Sequence, residues 1–147
     1  MGMDVWGKNP KNSEGNYFRA NCWTWRPLWE YVSLVGNLTE DETSRGHYND
    51  GFGLDDKRSI EIAKKLEMLI DSGAVKRAEE DWKKQCTSLP KQECNRCNGT
   101  GKFGSYKCLN CRGSGKRENE MASYFFDEHT VKEFKCFLLN CGGFEIH

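Results

Sequence analysis

Eight cysteines stand in a chain of 147 residues, and four of them fall into two octets of one form. Cys94-Asn95-Arg96-Cys97-Asn98-Gly99-Thr100-Gly101 is answered by Cys108-Leu109-Asn110-Cys111-Arg112-Gly113-Ser114-Gly115. A Cys-x-x-Cys turn brings two thiolates within reach of one tetrahedral ion, and a second such turn completes a shell of four sulfurs, the closed form of a structural zinc site. The glycines let the backbone curl behind each pair so that amide N–H groups point at the sulfurs. Cys94, Cys97, Cys108 and Cys111 are therefore the candidate ligands of a Zn2+ ion. Four free or redox-active thiols are the alternative, which a lone Cys-x-x-Cys would leave open and two matched copies disfavour. An iron–sulfur cluster also takes four Cys, yet this pair-and-pair spacing fits neither ferredoxin pattern.

Cys-x-x-Cys-x-Gly-x-Gly is the repeat of the cysteine-rich zinc domain of DnaJ/Hsp40 chaperones. Residues 92–117 resemble a half-sized version of that domain, with two repeats in place of four. The resemblance implies a β-hairpin-like zinc module with Cys94, Cys97, Cys108 and Cys111 as ligands. It does not imply co-chaperone activity, because the chain has no His-Pro-Asp tripeptide of the J-domain kind. The opening residues Met3-Asp4-Val5-Trp6-Gly7-Lys8-Asn9-Pro10, with Tyr17-Phe18-Arg19 and the run from Trp23 to Trp29, are similar to the start of bacterial and phage hypothetical proteins, a likeness that brings no function with it.

The cysteine segment is also basic: residues 91–117 hold seven Lys and Arg against Glu93 alone, a net of plus six. Lys102, Lys107 and Arg112 around the aromatics Phe103 and Tyr106 are what a module contacting phosphates and stacking on bases presents, so these five are the candidate partner-binding residues. The plainer reading is a coreless knuckle covered in solvated cations, which also offset the double negative charge of a zinc tetrathiolate.

A second group lies near the N-terminus, where four of the five Trp fall within the first 29 residues. Trp6, Arg19, Trp23 and Trp25, with His47 and Asp50 of the following loop, could line a pocket for a small ligand, and His47 could serve there as a base or metal ligand. The competing expectation is that the large rings are simply the core. Cys22, Cys86, Cys136 and Cys141 read as small buried hydrophobes. No P-loop, dinucleotide fingerprint, Gly-x-Ser-x-Gly elbow or His-Glu-x-x-His helix is present.

These sites need a frame. Pro27 with Leu28, Tyr31, Val32 and Val35 predicts a helix over 27–35, preceded by a strand within Tyr17 to Trp25. Asp55 or Asp56 can cap a helix over 57–72, and Val75, Ala78, Trp82 and Cys86 predict a second over 74–89 that folds back antiparallel on it. Residues 37–56 read as an acidic loop of net minus five. Thr130 to Glu133 has capping-box form at the head of a helix over 130–141, and Phe144 to Ile146 could add an edge strand. Lys plus Arg and Asp plus Glu are 22 each, so no whole-protein field draws the chain to a polyanion or an anionic membrane. The longest apolar runs are too short to span a bilayer, and no secretory signal core is visible.

The expected architecture is α+β: a helical body with a minor strand pair near the termini, forming a single domain over 1–147, and a zinc hairpin at 91–117 inserted between helices. The expected function is a cytoplasmic zinc-binding protein that recognises a macromolecule, nucleic acid or protein, through the basic hairpin. The alternative is a small-ligand binder or enzyme using the pocket between the Trp-rich segment and the His47 loop.

Overall fold

The computed structural model describes residues 2–147. Its order is β1 (Gly2–Gly7), β2 (Tyr17–Asn21), α1 (Cys22–Val35), α2 (Glu40–Arg45), α3 (Asp56–Asp71), α4 (Ala74–Ser88), four two-residue strands β3 to β6 (Gln92–Glu93, Lys102–Phe103, Tyr106–Lys107, Lys116–Arg117), α5 (Glu128–Asn140) and β7 (Phe144–Ile146). This is the α+β class expected. The chain forms two compact units, one of Met1–Trp82 with Tyr124–His147 and one of Lys83–Ser123.

In the first unit the expected strand pair is a three-stranded antiparallel sheet of order β2-β1-β7, with Val5 opposite both Phe18 and Ile146. Alternation in β1 turns Met3 and Val5 inward and Trp6 outward. Trp25, Trp29, Phe134, Phe137, Phe144, Leu28, Leu66 and Ile146 are all 1% exposed or less and make one continuous core between the sheet and the helices α1, α3 and α5. The aromatic rings meet in stacked and edge-on pairs, Trp25 lying 5.5 Å from Trp29 and Phe134 5.8 Å from Phe137.

Several element boundaries differ from the sequence reading. The strand ends at Asn21, whose side chain accepts from the Thr24 amide at 2.9 Å and caps α1 five residues before the expected start. Trp23 and Trp25 are thus helical. Pro27 lies inside the helix and offers no N–H to the Trp23 carbonyl, which takes its hydrogen bond from the Phe125 amide at 3.0 Å instead. The acidic loop contains α2, closed by a reciprocal capping box between Thr39 and Glu42. Asp55 caps α3, whereas α5 is capped by Asp127 accepting from Thr130, so Thr130 sits within the first turn rather than before it.

The largest difference concerns α4. Among the described residues α3 packs chiefly against α5, not against α4 folded back along it. Only Val75 and Glu79 of α4 are buried, and the second half of the helix is Lys83, Lys84, Gln85 and Thr87 around a half-buried Cys86. An apolar stripe confined to two turns cannot seat a 15-residue helix along its length. Of the four cysteines expected to be buried, only Cys141 is fully so.

Candidate metal centre

The second unit has no aliphatic core; the buried side chains of the hairpin are the four cysteines themselves, at 0 to 7% exposure, with Gly101 and Gly115 buried beside them. The four Sγ atoms all lie within 4.8 Å of one another. Cys94 and Cys108 are 4.0 Å apart and Cys97 and Cys111 3.8 Å. A tetrahedron with Zn–S bonds near 2.3 Å has edges of about 3.8 Å, so the donor set fits a single tetrahedral ion bound by sulfur alone. Four protein donors leave such an ion no open position.

The two octets are related by a local two-fold repeat in which the turn and ladder hydrogen bonds recur between equivalent residues 14 apart. Gly99 N–H donates to the Cys94 carbonyl and Gly113 N–H to that of Cys108; the Thr100 and Ser114 hydroxyls donate to the Cys97 and Cys111 carbonyls. The Gly101 amide donates to Cys97 Sγ at 3.2 Å and the Gly115 amide to Cys111 Sγ at 3.3 Å, the contacts that the glycine spacing predicted. Across the repeat, Cys94 N–H reaches the Gly115 carbonyl and Cys108 N–H that of Gly101, both at 2.9 Å. Gly101 and Gly115 meet face to face: a Cβ on Gly101 would stand 2.5 Å from the Gly113 oxygen, and one on Gly115 2.3 Å from that of Gly99. Their φ values of 76° and 73° also lie in the left-handed region that favours glycine.

The same symmetry relates the short ladders. At the base, β3 pairs with β6 (Gln92 opposite Arg117, Glu93 opposite Lys116); at the tip, β4 pairs with β5 (Phe103 opposite Tyr106, Lys102 opposite Lys107). Around the sulfurs the environment is unequal. The Asn110 side-chain amide, 3.4 Å from Cys94 Sγ, holds that thiol down at about 6. Burial pushes Cys97 up; it works the same way on Cys111, where hydrogen bonds from the Gly115 and Gly113 amides and from the Cys108 and Cys97 side chains together draw that thiol down. Cation binding to such a set displaces the protons that remain on its thiols.

The proposed contact residues lie on the hairpin surface. Phe103 is 62% exposed and Tyr106 81%, and together with Arg96, Lys107, Cys108 and Leu109 they line a cleft of about 420 Å³. The Arg96 guanidinium lies 5.9 Å from the Phe103 ring centroid. Lys102 and Arg112 are exposed beside it in sequence but do not line the cleft. Sequence reasoning missed three participants: Asn110, Arg96 and Leu109. Leu109 had a signal, being the sole large aliphatic residue of 91–117; the other two share one position of the repeat, and only the fold shows which meets a sulfur and which a ring.

The residues of the suggested N-terminal pocket take different stations. Trp25 is core, its Nε1 donating to the Gly46 carbonyl at 2.8 Å. Trp6 packs on Tyr17 on the outer face of the sheet, where Arg19 pairs with Asp4. Trp23 lies half-exposed on α1 against Tyr124. His47 contacts Glu30 through Nε2 at 2.7 Å, and its Nδ1 is enclosed without a hydrogen-bond partner among the described residues. Asp50 accepts from the Phe52 amide and pairs with Arg45, the local turn contacts of an Asp in a loop.

No protein-family model, curated protein or solved structure matches the chain. The likeness to the DnaJ-type repeat therefore rests on the two octets alone. No described helix is long and apolar enough to cross a membrane.

Proposed function

We propose that the chain is a zinc-binding recognition protein, its hairpin a half-sized module of the DnaJ-type repeat folded by Zn2+ through Cys94, Cys97, Cys108 and Cys111, and that the hairpin's basic tip contacts a macromolecular partner in the cytoplasm. The observation that carries this reading is the pairing of a closed four-sulfur donor set with an outward-facing aromatic cleft a few residues away. A saturated zinc ion organises the backbone and activates no water, so the chemistry left to the module is binding. Zinc is favoured over other cations by four thiolates in a tetrahedral arrangement.

The test has two parts. Elemental analysis of the purified chain should give one zinc per molecule. A photo-crosslinker placed at Ser105 of the tip should then form macromolecular adducts in native extract, with far fewer from one placed at Gln92 of the base and none after chelation. Equal labelling from both positions would remove the tip from the proposal, and absence of zinc would remove its foundation.

A further inference from the structure

The local two-fold repeat supplies an internal control. Its base and tip are built on one backbone plan, so any difference between equivalent side chains is not demanded by the metal shell. Glu93 opposite Lys116 at the base is an opposite-charge pair; the equivalent pair at the tip is Lys107 opposite Lys102, two cations set directly across an antiparallel ladder. Like charges in that position destabilise a sheet. Gln92 and Arg117 at the base correspond to Tyr106 and Phe103 at the tip, so polar groups are replaced by two rings left in solvent. The left-handed position Asn98 in the first octet, φ 50°, is Arg112 in the second, φ 52°, where a cation takes a conformation that Asn adopts more readily. At all three differences the tip side has given up local stability for positive charge or exposed aromatic surface.

From this asymmetry we infer that the tip binds single-stranded nucleic acid, its bases stacking on Phe103 and Tyr106 and its phosphates drawn to Arg96, Lys102, Lys107 and Arg112. The inference rests on the hairpin's being the recognition surface and names its partner. Among the described residues Lys102, Lys107 and Arg112 form no ion pair; at the base Lys91 and Arg117 pair with Glu118 and Glu120, and Lys116 stands opposite Glu93 in the ladder without a salt bridge. The tip is therefore the end of the hairpin at which no cation is paired and none has an acidic side chain opposite it in the ladder. Each exposed ring adjoins a lysine, Lys102-Phe103 and Tyr106-Lys107, an alternation that matches base and phosphate along one strand. A duplex hides its base faces within the stack and would leave both rings unburied. A protein partner fits less well, because Lys is depleted from protein interface cores.

The experiment uses the full chain with zinc content verified. Fluorescein-labelled mixed-sequence 12-nucleotide DNA and RNA single strands, and the matching DNA duplex, are titrated by anisotropy between 50 and 200 mM salt. Single strands should bind more tightly than the duplex. Engagement of four cations gives a slope of log K against log salt of about −3, from about −0.7 per phosphate on a single strand. Phe103→Ala and Tyr106→Ala should each weaken binding by about 5- to 150-fold with zinc retained, as loss of a stacked base predicts. Lys102→Glu makes the tip pair resemble the base pair; it should slow zinc loss to a chelator while weakening binding, two effects of opposite sign that a merely structural lysine would not show. Equal affinity for duplex and single strand with no effect of Phe103→Ala would overturn the inference. So would a zinc-loaded chain that binds neither strand at 50 mM salt, though recognition of a protein would then stand. A chain that takes up no zinc fails the underlying reading first.

Discussion

In the body of the molecule Trp25, Trp29, Phe134, Phe137 and Phe144 are each sealed to 1% exposure or less, whereas in the cysteine hairpin the rings of Phe103 and Tyr106 and the side chain of Leu109 are largely in water. The same kinds of residue do opposite things in the two units. Apolar burial can hold the body; it cannot hold the hairpin, where four thiols occupy the interior and two-residue ladders are all the regular structure there is. The four-cysteine donor set offers another source of order, a bound ion, whose apparent contribution in structural zinc sites is about 10–16 kcal/mol. A segment that does not use its aromatic residues to fold has them free for a partner.

The largest effect separating the two units should therefore follow loss of the metal. Cys97→Ser or Cys111→Ser, or a strong chelator, should unfold residues 92–117 while α1, α3 and α5 keep most of the far-ultraviolet circular dichroism. The check is hydrogen exchange: amides of Gly101, Cys108 and Gly115 should lose protection, and those of α3 and α5 should not. A hairpin that stays protected without metal would show that its backbone bonds suffice, and the contrast between the units would fall.

The converse substitution comes next in size. Phe134 is fully buried and meets Phe18, Trp25, Phe137 and Phe144, so Phe134→Ala should cost the body about 3–5 kcal/mol, a fall in Tm of more than about 10 °C. Zinc stoichiometry at temperatures below that transition should stay at one. If zinc is released in step with the melting of the body, the hairpin depends on the body for its order and does not fold as a metal-held unit.

What the sequence disclosed follows the same division. The metal shell was legible because its chemistry is local: four cysteines, four glycines and a spacing fix the turns without help from the rest of the chain. The start of α1 was misplaced because Pro27 suits a first helical position, whereas the helix capped by Asn21 runs through it. The cap of α5 was misplaced because Thr130 and Asp127 are both able cappers and only the path of the backbone selects between them. The α4 packing was misread because helical periodicity shows that a face exists and not what covers it. The aromatic and basic residues of the tip were legible as composition, and only the pairing register shows that a like-charge lysine pair at one end replaces a Glu–Lys pair at the other.

The smallest effect belongs to the acidic segment of the body and divides the units by pH. The Glu42 carboxylate accepts from both terminal nitrogens of Arg58 on α3 and, at 2.9 Å, from the Thr39 amide that opens α2. The Arg58 guanidinium first, and the Thr39 amide after it, hold the Glu42 carboxyl down at about 2 against its ordinary 4.5. A carboxyl lowered on folding stabilises the folded state fully above its unfolded value and loses that contribution as pH falls from about 4.5 through about 2. Because both side chains keep partial contact with water, the pair and cap together are worth only about 1 kcal/mol. Glu42→Gln should accordingly lower stability by about that amount in urea unfolding at pH 7, and the difference from the parent should vanish near pH 2. A deficit undiminished at pH 2 would mean that Glu42 acts by shape and not by charge. The hairpin should respond to acid differently, since protonation of thiolates expels a bound metal outright. An acid titration of the loaded parent should therefore show zinc release at a pH where the Glu42–Arg58 pair and the helices of the body are intact. Simultaneous loss of both would mean that one cooperative structure, and not two, is being titrated.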